Sequence, residues 1–419
     1  MRFSIVTFGC RVNQADSLAI EDCFLSRGAE PAATDAADVV IVNTCSVTAS
    51  ADQGARQAIR RIARENPAAK IVVTGCYATR RPDEVAALPG VARVIANGDK
   101  DDLADHLSEL TTAERYAGGD GACGGSLHPG VLGRTVLTLR VQTGCEQRCS
   151  YCIIPSTRGH SRSRPLSHVL TDIDRAVDAG YKEIVIAGVH LGSYGRDLDD
   201  GTTLERLVLA LSRHPGNVLF RLSSLEPMDC TRAIVRLVAE SERLAPHFHL
   251  PLQHGSDAML LRMRRPYTSS VYRSLLDDIH SRMPHASIGT DVIVGLPGER
   301  DEHFVRTIEL LEQLPLSHVH VFPYSDRPGT EATGLREKVV GTDIRERGRA
   351  VRDVGARLTN AFQARQLGTV RRALTVDDGS RAVTDNYLKV HLEAGRERNE
   401  WVNVAIAGEP GGLVGLEVR

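Results

Sequence analysis

The sequence predicts an α/β chain in three parts: an N-terminal parallel-sheet α/β unit over residues 1–110, a central partial (β/α)6 barrel over 134–365, and a small all-β barrel over 366–419. Three observations predict it. Apolar runs of strand length alternate with amphipathic helical stretches through the first two parts, the pattern of right-handed crossovers onto a parallel sheet. Residues 111–133, TTAERYAGGDGACGGSLHPGVLG, are glycine-rich and aperiodic, which reads as a linker. After 366 the helical spacing stops and short alternating strands replace it, as in an antiparallel barrel. A chain of 419 residues also exceeds one ordinary core.

In the first unit the strand runs are FSIVTF, DVVIVN and KIVVTG, and helix patterns follow over Gln14–Arg27, Ala51–Glu65 and Asp83–Leu88. Each strand ends at a cysteine: FGC at Cys10, NTC at Cys45 and TGC at Cys76. Ligands of open α/β sheets gather beyond the carboxyl ends of the strands, so these three residues are expected to converge on one edge. The central part holds six runs, TVLTLRV, EIVIAGV, VLFRLSS, FHLPLQ, IGTDVIVG and HVHVFPY, with helix patterns such as Leu166–Ala179 and Glu302–Leu314 between them. Six units are too few for a closed eight-fold barrel, so an open one is expected, with its active face at the C-terminal strand ends. The last part contributes RRALTV, AVTDNYLKVHLEA and EWVNVAIAG.

Hydrophobic residues make up 42% and charged residues 25%, the balance of a soluble globular protein. No apolar run has the length of a membrane span and no signal-peptide pattern opens the chain, so a cytoplasmic, non-membrane protein is expected. Nine cysteines in such a chain argue for metal or redox chemistry rather than a disulfide framework. A net charge of −2 gives no global attraction to nucleic acid, which leaves that role to local basic segments.

GCEQRCSYCIIP, residues 144–155, places Cys145, Cys149 and Cys152 on one loop after the first barrel strand. Thiolates suit zinc or iron–sulfur clusters. A zinc site needs a fourth ligand, for which His160 is near in sequence, but no second cysteine or histidine pair follows. A four-iron cluster with three anchored irons leaves one coordination position open, the mark of a reactive site. Cys10, Cys45 and Cys76 read either as a second incomplete set or as ordinary buried cysteines. Cys23, Cys123 and Cys230 are expected not to be ligands.

The C-x3-C-x-aromatic-C motif, with Tyr151 as the aromatic, resembles that of the radical S-adenosylmethionine (SAM) enzymes. GCRVNQADS, VNTCSVTASA and VTGCYA, with LPLQHGSDAMLLRMRRPYT and TDVIVGLPGE, are similar to the methylthiotransferases of that superfamily. The resemblance implies a radical SAM barrel and a C-terminal TRAM-like RNA-binding barrel. It also implies two [4Fe-4S] clusters, one on Cys10, Cys45 and Cys76 and one on the catalytic set Cys145, Cys149 and Cys152, whose open iron takes SAM. An external electron donor and a sulfur source are implied too. GCRVN, GVHLGSYG, HVFPYSDRPGT and TDNYLKV look most like the group that acts on N6-threonylcarbamoyladenosine in the tRNA anticodon loop. Related groups act on isopentenyladenosine in tRNA or on a ribosomal-protein aspartate, and QHG at Gln253–Gly255, where QSG is usual, is similar to the last.

Gly188, Glu226 and Gln253 end barrel strands, where they would contact SAM or only shape turns. Of the basic runs, Arg345–Arg352 reads as a solvated helix face. Arg158–Arg164 is expected at the rim of the site, contacting substrate phosphate.

Overall fold

The computed structural model describes residues 1–110, 129, 135–393, 395–409 and 412–418. All but Pro129 of the 111–133 stretch read as a linker, Cys123 included, lies outside them.

The N-terminal unit runs β1 (Arg2–Thr7), α1 (Arg11–Leu25), β2 (Glu30–Pro31), β3 (Val39–Thr44), α2 (Ala49–Glu65), β4 (Lys70–Gly75), α3 (Cys76–Arg80), α4 (Pro82–Ala86) and β5 (Val91–Ile95). Its five strands lie in the order β2-β1-β3-β4-β5, all parallel. Alternation divides β3 between two cores. Val39 and Ile41 pack with Phe24 of α1, and Val40 and Val42 with Ile59 and Ile62 of α2. Thr48 starts α2 by accepting a hydrogen bond from the Ala51 amide at 3.2 Å, supplying one of the partners a helix start lacks.

The central part runs β6 (Leu137–Thr143), α5 (Ile154–Arg158), β7 (Arg162–Ser163), α6 (Leu166–Asp178), β8 (Glu183–Gly188), α7 (Leu204–Ser212) and β9 (Leu219–Leu222). It continues through α8 (Arg232–Glu240), β10 (His247–His249), α9 (Asp257–Arg262), α10 (Ser269–Arg282), β11 (Ser287–Val294), α11 (Asp301–Gln313), β12 (His318–Pro323) and α12 (Gly341–Gln366). Parallel ladders join β6-β8-β9 and β10-β11-β12, and parallel bridges at Phe220↔Leu244 and Ser224↔His249 link the two groups. Six parallel strands therefore form the predicted partial barrel. The short β7 is an addition, antiparallel on the outer side of β6. No described helix is long and apolar enough to cross a membrane.

The C-terminal strands β13 (Val370–Val376), β14 (Arg381–Thr384), β15 (Lys389–Leu392), β16 (Trp401–Glu409) and β17 (Gly412–Glu417) close a barrel in the order β13-β14-β15-β17-β16. AVTDNYLKVHLEA is two strands rather than one. The expected all-antiparallel pairing is corrected at one seam, because β15 and β17 run parallel. One further correction falls in α12. Arg345, Arg349 and Arg352 are exposed as expected, but Arg347 turns inward to Asp301 at 2.7 Å and Glu299 at 3.5 Å.

Candidate functional site

Cys10, Cys45 and Cys76 lie just past the ends of β1, β3 and β4, three neighbouring strands, so the sheet brings them to one edge. Cys45 and Cys76 are buried and Cys10 is exposed; all three are free thiols. Burial pushes the Cys45 thiol up to about 12, and the nearby Cys10 and Cys76 add to that rise. The turn into Cys76 depends on Gly75: its φ is +98°, and a β-carbon there would stand 2.2 Å from the Thr44 carbonyl oxygen.

Beneath this edge is a buried charged network that sequence reasoning missed. The Asp16 side chain has no exposed surface and meets Lys100 Nζ at 3.0 Å, Arg158 Nη2 at 3.0 Å and Arg140 Nη1 at 2.6 Å. Burial alone would raise the Asp16 carboxyl, but Lys100, Arg158 and Arg140 outweigh it and hold it well below the usual carboxylate range. Burial and Arg158 pull Lys100 down against the pull of Asp16, because three cations share one carboxylate. Lys100 also donates to Asn43 Oδ1 at 3.0 Å, and Arg158 donates to Asn13 Oδ1.

The rim expectation for Arg158 is therefore corrected. It is 6% exposed and lies close enough to Cys10 and Cys76 for their thiolate charges to act on it. Arg164 pairs with Asp172, and of the three arginines in that run only Arg162 is exposed. A second buried arginine, Arg327, reaches from the loop after β12 to Asp52 of α2 at 2.7 Å. Asp52 also receives Arg80 and a 2.7 Å hydrogen bond from Ser46 Oγ.

The loop between β6 and α5 carries Cys145, Cys149 and Cys152, all free and partly exposed. It closes on itself, with the Cys145 amide donating to Gly159 O at 3.0 Å and the Cys152 amide to Cys149 O at 3.1 Å. Gly144 makes this closure possible, since a β-carbon there would fall 1.8 Å from His160 O. Ser150 ties the loop to the barrel, its amide donating to Met263 O at 3.2 Å and its carbonyl accepting from the Ala332 amide at 2.8 Å. The three cysteines line a cleft of about 560 Å³ with Arg148, His160, Arg264 and Glu331. His160 is 91% exposed and its Nδ1 stands 3.1 Å from Glu146 Oε1.

Arg265 connects this loop to the barrel. Its Nη1 donates to Cys149 Sγ at 3.2 Å, its Nε to the Tyr267 hydroxyl at 3.1 Å, and its Nη2 to Glu226. Glu226 is thus joined to the triad through Arg265. Tyr151 packs on Met259, Met263, Leu296 and Ala332. Gly188 ends β8, where a β-carbon would stand 3.0 Å from Gln142 Oε1 and 3.0 Å from Leu191 Cα. Gln253 has φ +67°, held there by hydrogen bonds from its amide to Asp291 O and from the Ile293 amide to its carbonyl, each 2.8 Å. The structure brings Tyr151 and Glu226 to the triad and shows no contact between the cysteines and Gly188 or Gln253. His254 is 1% exposed, its Nδ1 accepting from the Ser256 amide at 3.0 Å, so it shapes a turn behind the face.

Asn97 links the N-terminal triad to α5, the helix that follows the Cys145–Cys152 loop. Asn97 Nδ2 donates to Thr157 O of that helix at 2.9 Å and lies 3.6 Å from Cys76 Sγ. Cys230 is buried in the apolar core of the barrel and Cys23 in that of the N-terminal unit.

Comparison with known proteins identifies the family. Residues 2–97 match an uncharacterized protein family, UPF0004, and residues 139–311 match the radical SAM superfamily. The chain is 36% identical to the threonylcarbamoyladenosine tRNA methylthiotransferase MtaB of Aquifex aeolicus, over 97% of this chain and 100% of that protein. It is 36% identical to MtaB of Bacillus subtilis, over 80% and 75% of the two chains. The tRNA-2-methylthio-N(6)-dimethylallyladenosine synthase of Paenarthrobacter aurescens is 31% identical, over 95% and 78%. Among solved structures, the radical SAM methyltransferase TsrM from Kitasatospora setae shares the fold with a TM-score of 0.56 at 16% identity, covering 79% of this chain and 76% of that one. The chain belongs to the family of radical SAM tRNA methylthiotransferases.

Proposed function

We propose that the protein converts N6-threonylcarbamoyladenosine at position 37 of the tRNA anticodon loop to its 2-methylthio derivative. The observation that carries this reading is the pair of three-thiol sets, one gathered at a sheet edge and one on the β6–α5 loop and linked through Asn97, in a chain whose Aquifex aeolicus MtaB relative spans 97% of its length. In this reading Cys10, Cys45 and Cys76 hold one [4Fe-4S] cluster and Cys145, Cys149 and Cys152 the other. Tyr151, Gly188, Glu226 and Gln253 line the place of SAM.

The thiols fit such clusters better than single ions. Zinc bonded to sulfur at about 2.3 Å holds its thiolates roughly 3.8 Å apart. Among the described residues, only His249, Asp291 and His320 bring ligand atoms all within 4.8 Å of one another, and neither thiol triad does. When bound, SAM and the cluster beside it supply a carbon-centred radical able to break the adenine C2–H bond, which has no usefully acidic proton. The protein's own share is charge and position. Arg158 and Arg327 place cations beside the N-terminal triad, and Arg265 aims a proton donor at Cys149 Sγ. RNA contact falls to the C-terminal barrel, where Arg381, Lys389 and His391 are exposed on β14 and β15. Electrons and sulfur come from outside the chain.

Mass spectrometry of tRNA nucleosides from a deletion strain tests the substrate. Loss of 2-methylthio-threonylcarbamoyladenosine with accumulation of its precursor is expected. Its persistence, in a strain with no second such enzyme, would refute the assignment.

A further inference from the structure

Strands β10, β11 and β12 present a third set of ligand-type side chains. In the parallel register His249 lies opposite Gly289, Gly289 opposite His318, and Asp291 opposite His320. The alternate residues Phe248, Ile288, Val292 and Val319 belong to the apolar core. Side chains of a strand alternate between faces, so His249, Asp291, His318 and His320 share the opposite one, the barrel interior.

His249 Nε2 stands 3.0 Å from Asp291 Oδ1. One ligand atom from each of His249, Asp291 and His320 lies within 4.8 Å of the other two. His318 flanks them, with its Nε2 3.1 Å and 3.2 Å from the two ring nitrogens of His320. Gly289 makes the room: a β-carbon there would stand 3.0 Å from His249 Nδ1.

We propose that His249, Asp291 and His320 form a binding site for one divalent transition-metal ion, separate from both cysteine sets. Two imidazoles and one carboxylate are a common donor set for zinc, iron(II) and nickel, and three protein ligands leave a coordination position open for a water or substrate oxygen. Bonds of about 2.1 Å hold such ligands roughly 3.0–3.5 Å apart. The His249–Asp291 pair is already at that spacing, and a rotation of the exposed His320 ring closes the third side. An ordinary hydrogen-bonded pair accounts for His249 and Asp291 only. It leaves unexplained why two further imidazoles crowd the same face, opposite a glycine that gives them space.

The test uses tag-free protein with both clusters reconstituted, so that its cluster cysteines are occupied, dialysed anaerobically against Ni²⁺ with cluster absorbance monitored. One nickel per chain is expected at micromolar metal in the wild type. His249→Ala and His320→Ala should lose it, and Gly289→Ala should bind about ten-fold more weakly, all with unchanged iron content. His320 is exposed, so H320A decides the matter should H249A fail to fold and lose its iron as well. No nickel bound by the wild type, or equal nickel in wild type and H320A, overturns the site.

Discussion

Cys149 and Cys45 are both thiols in three-cysteine sets, but they are expected to fail differently when removed. Cys149→Ala should abolish SAM cleavage, measured as 5′-deoxyadenosine, because in the proposed assignment it removes an anchor of the radical-forming cluster. Cys45→Ala should leave cleavage partly intact and stop methylthio insertion into tRNA; equal loss of cleavage in both variants would contradict this division. Arg265 is the residue to test beside them. Its guanidinium joins Cys149 to Glu226, and a hydrogen bond to a charged group contributes about 1.5–3 kcal/mol. Arg265→Ala should therefore slow SAM cleavage by roughly ten- to a hundred-fold, with iron content unchanged and partial recovery in Arg265→Lys. The placement of the cysteines was legible because strand-end position and C-x3-C-x2-C spacing fix where such residues gather. Arg265 was not, since in RMRRPY it looks like any solvated arginine until the fold folds it back on the loop.

Helix α5 is only five residues long, yet it carries Arg158 into the N-terminal unit. Removing one partner of a buried ion pair costs about 3–5 kcal/mol, because the other charge stays buried and uncompensated. Arg158→Ala should lower the unfolding midpoint by several degrees and reduce iron at the N-terminal triad, while Arg162→Ala at the exposed start of β7 should do neither. Similar losses from both would remove the special role of α5. The elements that escaped sequence reading have a common cause. β2 and β7 are two residues each, and β5 exposes Ala92 and Arg93, so none presents the apolar alternation that marks a strand. Arg158 escaped for the converse reason: its partners Asn13 and Asp16 lie about 140 positions away, and only docking of the central part on the first makes the contact.

The three parts are tied by cations that cross their boundaries. Arg158 and Arg327 run from the central part to the first, Arg11 Nη2 donates to the Tyr387 hydroxyl of the last at 2.7 Å, and Arg221 Nη1 donates to Asp385 O at 3.0 Å. None of this was visible along the chain, where the three parts read as separate beads. Because so much of the docking converges on one carboxylate, the assembly should respond to acid through Asp16. Its folded-state pKa lies below its ordinary value, so it binds a proton more readily unfolded than folded. The stability it contributes is thus fully present above the unfolded value of about 3.9 and is lost as pH falls through that value towards the lower folded one. Asp16→Asn cannot take part in this titration and leaves Lys100, Arg140 and Arg158 short of their counter-charge at every pH. Urea unfolding of cluster-free protein should therefore show a large stability gap between wild type and D16N at pH 7, narrowing as the pH is lowered below about 4. A gap that stays constant over that range would mean that the contact matters for packing alone, with the charge of Asp16 contributing nothing to how the parts are held together.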